Sequence, residues 1–377
     1  MTSTIRPGSV EWMGERLARK EDLRLVTGKG KYLADIIIPG ALHAVFVRSE
    51  YAHAKILGID LAEAESLPGV VAIYTGESIK DHINPMPQAI VKPNLSAKYP
   101  TFWPLAVGKV TFHGEPVALV IARDKYVAED ASELVEIDYE DLDAQLDMET
   151  AMDKSTKVIH DDLGNNLFWT RTVNQGDVSE AFKKSHIVEE VTLDFARHTG
   201  VTLETRAIVA DWDSSEERMT IYHNGQAPHM MQSIIAKHLN ISEGLVRIIS
   251  CDVGGSFGIK VHVYPDEMVT VAVSKLLKRP VKFVADRLES YSTDIHSRCH
   301  KISGKIGVDD NITCNKTNQE NLNTKFPTIE RNIKRYNSKF LKKINLKYIV
   351  FCEGLFISNI NTCLLYTSPS PRDQRGS

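Results

Sequence analysis

Several things are scarce in this chain of 377 residues, and each absence excludes something. Cysteine is sparse: the five, at 251, 299, 314, 352 and 363, form no Cys-x-x-Cys pair and are odd in number. That excludes a disulfide framework and predicts free thiols in a reducing, cytoplasmic compartment. No apolar run reaches the about 18 residues of a spanning helix, and the polar start Met1 to Pro7 has no apolar signal core. Charge of one sign is also lacking: the net value of −4 predicts no nucleic-acid or anionic-membrane surface. Two nucleotide-binding motifs are missing as well. Lys260 follows Ile259 and precedes Val261, so there is no P-loop, and the glycines at 254, 255 and 258 do not fit Gly-x-Gly-x-x-Gly.

The stretch Ser250 to Lys260 dominates what is present. It reads Ser-Cys-Asp-Val-Gly-Gly-Ser-Phe-Gly-Ile-Lys, with three glycines in five residues. A β-type run (Leu245 to Ser250) leads into it and an apolar helical pattern (Glu267 to Leu277) follows. A nearly bare backbone can adopt φ > 0 and turn its N–H groups toward a ligand. The same glycines also suit a tight strand-to-helix turn, and the loop alone leaves both readings open.

Around it, the patterns predict an α+β chain. Residues 1–25 form a polar arm. Residues 26–145 form one compact unit with strands at 41–48, 51–60, 70–75 and 135–139, a turn followed by a strong strand within 110–122, and helices at 61–66 and 125–133. A linker at 146–164 leads to a second α/β unit, 165–310. That unit holds a helix at 178–184, a strand at 186–195, a hairpin at 207–212 and 219–223, and a helix opening at Ala227-Pro228. Residues 80–106, rich in Pro, Asn and Lys, read as a loop excursion.

The tail changes character. Residues 312–362 contain no alanine, aspartate or histidine and one glycine, Gly354. Back-translating Cys363 to Asp373 gives a string resembling transposon-end and primer sequence from DNA libraries. Residues 311–377 are therefore expected to be irregular, frame-shifted and adapter-derived, and lie outside the fold argument.

Ordered motifs now converge on a family. Gly14-Glu15-Arg16, Thr27 to Tyr32 with Asp35, Phe46 to Ser49, Ala52-His53-Ala54, His113 to Val120, Gln226 to His229, the glycine loop, and Arg279 to Lys282 with Asp286-Arg287 together resemble the large subunit of the xanthine dehydrogenase, aldehyde oxidase and carbon monoxide dehydrogenase family. The resemblance covers about residues 14 to 310. It implies an α/β-hammerhead domain followed by the first part of a molybdenum-cofactor-binding domain. It also implies that Gln226 donates to an oxo group of molybdenum, and that Gly254, Gly255, Ser256, Phe257 and Gly258 cradle the pterin, with Phe257 walling the metal pocket. Before the resemblance, Gln226 reads as an ordinary polar residue at a helix N-terminus.

The cofactor implied is molybdenum–molybdopterin, as the mononucleotide or in its cytosine dinucleotide form. The implied partners are an iron–sulfur small subunit and an FAD-binding medium subunit, in a homodimer of heterotrimers. The implied reaction hydroxylates an aldehyde or N-heterocycle, or oxidises carbon monoxide, with water as oxygen source.

Departures from the family pattern qualify this. Ser256 and Ile259 stand where glycines are usual, and Ile259 needs a negative φ. Val201 to Arg206 replaces a Met-Glu-Pro-Arg type sequence, and Glu204 and Arg206 are expected to form a structural ion pair. Lys260 to Pro265 is closer to the carbon monoxide dehydrogenase type. The family's large subunit is about twice this length, and its general-base glutamate lies in the half absent here. No catalytic residue is therefore assigned, and this stretch alone is expected to be inactive. The alternative is a non-catalytic subunit-docking module with a structural glycine loop.

Overall fold

The computed structural model describes residues 19–87, 99–153, 155–167, 177–297 and 299–308. The Gly14-Glu15-Arg16 motif, part of the 80–106 excursion and the tail 311–377 lie outside the described residues.

The first elements are α1 (Asp22–Val26), β1 (Leu42–Arg48), β2 (Ala54–Asp60), α2 (Ala62–Ser66), β3 (Val70–Thr75) and α3 (Gly76–Ile79). They are followed by β4 (Lys109–Val110), β5 (Pro116–Ala122), α4 (Lys125–Glu133) and β6 (Glu136–Asp141). Every residue of β5 is buried, as its unbroken apolar sequence requires of a central strand. Helix α4 starts where the Asp124 carboxylate accepts the Val127 N–H at 3.0 Å. Its Ala128 and Ala131 form the small stripe that lets the helix approach the sheet.

The second half contributes α5 (Val178–Lys183), β7 (Ile187–Phe195), β8 (Ala207–Asp213), β9 (Arg218–His223), α6 (Pro228–Leu239) and β10 (Val246–Ser250). It then adds α7 (Pro265–Leu277), β11 (Val281–Val284), α8 (Arg287–Thr293) and β12 (His300–Val308). Both α6 and α7 open on a proline, whose missing N–H costs nothing there. They close on left-handed residues, Asn240 (φ 52°) and Lys278 (φ 54°).

A seven-stranded sheet, ordered β10-β9-β8-β11-β1-β5-β3, crosses from one half to the other. The join is β1 against β11, parallel, with Leu42 opposite Val281 and Ala44 opposite Phe283. Phe46 meets Phe283 edge to face at 5.0 Å. A single apolar core therefore runs from Leu119 and Ile121 through Leu42 and Phe283 to Ile208, Met268 and Val271. Smaller sheets, β4-β2-β6 and β12-β7, flank it. Among the described residues no helix is long and apolar enough to cross a membrane.

Candidate functional site

Strands β9 and β10 run parallel, with Ser250 beside His223, so the chain leaves both at the same end of the sheet. Antiparallel β8 begins at that end, with Ile208 opposite His223. Three connections meet there: residues 201–206 before β8, Asn224 to Ala227 after β9, and Cys251 to Val261 after β10. In open sheets of this kind, ligand crevices form outside the carboxyl ends of parallel strands.

Pairing thus brings Gln226 to the glycine loop. Its backbone N–H donates to the Lys260 carbonyl at 3.0 Å. Its side-chain Oε1 accepts the Ser256 hydroxyl, which leaves Nε2 as the group facing outward from this contact. Gly225 must be glycine, because a Cβ there would stand 2.2 Å from the His223 ring.

The loop backbone is left-handed at Gly255 (φ 98°), Phe257 (φ 48°) and Gly258 (φ 89°). For Phe257 this is a strained conformation, retained where surrounding contacts fix it. Its ring is 76% exposed. Ile259 satisfies the expected condition: it is absent from the positive-φ residues, and it is buried. Gly254 is packed against residue 204, where a Cβ would lie 2.4 Å from the Glu204 Cβ, whereas a Cβ on Gly258 would meet nothing within 4 Å. Among the described residues, no acceptor meets the amides of Gly255, Ser256, Phe257 or Gly258. Free amides, left-handed glycines and an uncovered aromatic ring fit a planar, polar cofactor lying over this loop.

The charged residues beside the loop are arranged differently from expectation. Glu204 and Arg206 do not pair with each other. The chain bends at Leu203 and Glu204 before β8 begins at Ala207, and the two side chains reach different partners. The Glu204 carboxylate binds the Lys260 ammonium at 2.8 Å and the Gly254 N–H at 2.8 Å. Arg206, fully buried, holds Asp266 through two bonds of 2.7 and 2.9 Å and Asp294 through one of 2.6 Å. Its guanidinium lies 3.7 Å from the centre of the Tyr264 ring. Arg48, from β1, adds a bond of 2.8 Å to Asp266 and reaches Glu289 on α8.

Burial would raise the Asp266 carboxyl, but the Arg206 and Arg48 guanidiniums outweigh it and hold it at about 2. Burial pushes the Tyr264 hydroxyl well up and lowers the Lys260 ammonium. At the loop entrance, Asp252 accepts from Arg24 and from the Lys31 N–H, and these bonds hold its partly buried carboxyl at about 2. The sequence offered no signal for Asp252 or for the Lys260–Glu204 pairing, since both partners come from distant segments.

A separate cavity of about 450 Å³ lies between the two halves, walled by Phe102, Phe112, His113, Tyr264, Asp266 and Tyr291 among others. Gln226 and the glycine loop do not line it.

Comparisons with known proteins bear on this geometry. Residues 159–320 match the molybdopterin cofactor-binding domain family, and residues 27–143 match the aldehyde oxidase and xanthine dehydrogenase a/b hammerhead domain. The nicotine 6-hydroxylase large subunit of Paenarthrobacter nicotinovorans is 37% identical over 285 residues, covering 76% of this chain and 35% of that protein. The carbon monoxide dehydrogenase large chain of Afipia carboxidovorans is 33% identical over 321 residues, covering 81% of this chain and 39% of that one. The crystal structure of quinoline 2-oxidoreductase from Pseudomonas putida 86 superposes with a TM-score of 0.72 at 31% identity, over 78% of this chain and 37% of that one. The chain thus spans little more than a third of the length of these relatives. The two matched domains and these relatives show that the chain belongs to the xanthine dehydrogenase, aldehyde oxidase and carbon monoxide dehydrogenase family of molybdopterin-binding large subunits.

Proposed function

We propose that this chain is the cofactor-receiving part of a molybdenum hydroxylase large subunit, with molybdopterin bound over residues 254–258. The observation that supports this most is the row of acceptor-free amides at Gly255 to Gly258, at the ends of parallel β9 and β10.

In this proposal the amides of Gly255 to Gly258 donate to the polar edge of the pterin, and Gly258, where a Cβ would meet nothing within 4 Å, leaves the backbone open on that side. Gln226, its carbonyl oxygen engaged by Ser256, offers its Nε2–H as a donor to an oxo group on the metal. The exposed Phe257 ring covers one side of the site and keeps water from it. When bound, the molybdenum–pterin group supplies two-electron redox chemistry with water as the oxygen source.

The finer assignments belong to the same proposal. The pterin is a mononucleotide or a cytosine dinucleotide, and electrons leave to iron–sulfur clusters and FAD on a small and a medium partner subunit. The assembly is a homodimer of heterotrimers in the cytoplasm. The substrate is an aldehyde, an N-heterocycle or carbon monoxide. The general base lies outside residues 19–308, so this chain alone is expected not to turn over.

Producing the chain in a host that assembles molybdopterin tests the reading. Pterin fluorescence after oxidative denaturation should be stoichiometric with chain and fall to background in Gly258→Val. A folded chain without pterin would replace this proposal with the docking-module alternative.

A further inference from the structure

We propose that Glu204 is the positioning residue of the glycine loop, a carboxylate that fixes both loop ends so that the amides between them stay presented to the cofactor. This rests on the cofactor proposal above for its functional meaning, but its geometry stands independently.

A single oxygen, Oε2 of Glu204, accepts from the Gly254 N–H at one end of the loop and from the Lys260 ammonium at the other, each at 2.8 Å. The contact at Gly254 is reciprocal: the Glu204 N–H donates to the Gly254 carbonyl at 3.1 Å. Segment 254–260 is therefore closed into a short arch whose feet share one acceptor. A charged acceptor makes such bonds shorter and stronger than neutral ones. The Lys260 side chain is 1% exposed, so this carboxylate is the counter-ion that makes its burial tolerable. Glu204 also accepts from the Leu33 N–H, at a long 3.4 Å, linking the arch to the N-terminal segment.

The turn that carries Glu204 is itself held. Arg287 donates to the carbonyls of Thr202 and Leu203 at 2.7 and 2.6 Å. The Thr202 hydroxyl donates to the Glu204 carbonyl at 2.6 Å, and Asn224 donates to the Thr205 carbonyl at 2.8 Å. A carboxylate on a backbone fixed at several points is pre-organised, and precise placement of a binding loop depends on such supporting contacts. The packing agrees: the Gly254 Cα lies so close to Glu204 that a methyl group there would be 2.4 Å from its Cβ. Gly254 is thus the glycine required by Glu204, while Gly255 and Gly258 are the glycines required by left-handed backbone.

Glu204→Gln keeps the shape and an oxygen for Gly254 but strands the Lys260 ammonium. Glu204→Gln with Lys260→Met removes both charges. Amide exchange in the pterin-free chain is read at Gly254 and Ile259, both hydrogen-bonded within the arch, against Val209 in β8. The single variant should speed exchange at Gly254 and Ile259 on the order of tenfold relative to Val209, and the double variant should restore most of it. Pterin content in the loading host should fall and recover in parallel. Gly254→Ala, which attacks the same contact from the loop side, should loosen Ile259 similarly if the glutamine variant fails to fold. Unchanged exchange at the loop ends, or acceleration uniform with Val209, would overturn the positioning role. A wild-type chain that takes up no pterin while Glu204→Gln still loosens the arch would sink the cofactor reading alone.

Discussion

Two clusters stand a few residues apart and have opposite character. Around Arg206 every charge is answered: Asp266, Asp294 and the Tyr264 ring saturate the guanidinium, and Arg48 brings β1 into the same network. At the glycine loop the backbone is fixed at its feet and left open at its crown, with free amides and an exposed Phe257. A closed network of this kind ties elements together and has no donor left for a ligand. An open crown on fixed feet gains its last partners from something that binds. The first cluster is built as scaffold, and the second is where the proposed cofactor would bind.

Removing Arg206 should have the largest effect. Arg206→Met takes the cation from buried Asp294 and leaves Asp266 with Arg48 alone, and should lower unfolding stability by about 3–5 kcal/mol, measured by urea denaturation. A loss comparable to a surface substitution would contradict the scaffold role. Asp266 sets the next effect. Its folded value of about 2 lies below the ordinary carboxylate value of 3.8, so its contribution is present above about pH 4 and is lost as pH falls toward 2. That contribution is about 2 kcal/mol, and Asp266→Asn should flatten the acid limb of a stability–pH profile.

Glu115 should behave with the opposite sign. Burial raises its carboxyl to about 7 despite bonds from Thr111, so the folded chain holds its proton more tightly than the unfolded chain. Stability should fall as pH rises from about 4.5 to 7, and Glu115→Gln should remove that slope. Gly258→Ala should cost about 1–2 kcal/mol, because an alanine there must hold φ near 89° with no contact to relieve it. Phe257→Ala should leave stability within about 0.5 kcal/mol yet weaken pterin retention. That split between stability and binding is what distinguishes crown from scaffold.

Local periodicity carried much of this architecture. The helices α6 and α7 and the β8–β9 hairpin stood in the sequence within a residue or two of their positions, and β5 occupies the second half of the stretch read at 110–122. Residue types and order were enough to single out the glycine loop and Gln226, and the strand pairing brings the two into contact. The ion pairs were not. Glu204 finds Lys260 across 56 residues, and Arg48 finds Asp266 across 218, so neither spacing carries a period that could reveal it. The placing of Glu204 and Arg206 together failed because nearness in sequence says nothing about side-chain direction. The continuity of the sheet was hidden for the same reason, since Leu42 pairs with Val281.

Amide exchange compared between chain made with and without molybdopterin synthesis in the host would test the contrast most directly. Slowed exchange is expected at Gly255, Ser256, Phe257 and Gly258 in the loaded chain, with Thr111 to Gly114 along the inter-half cavity unchanged. Protection appearing at the cavity, with the glycine-loop amides still exchanging freely, would contradict it.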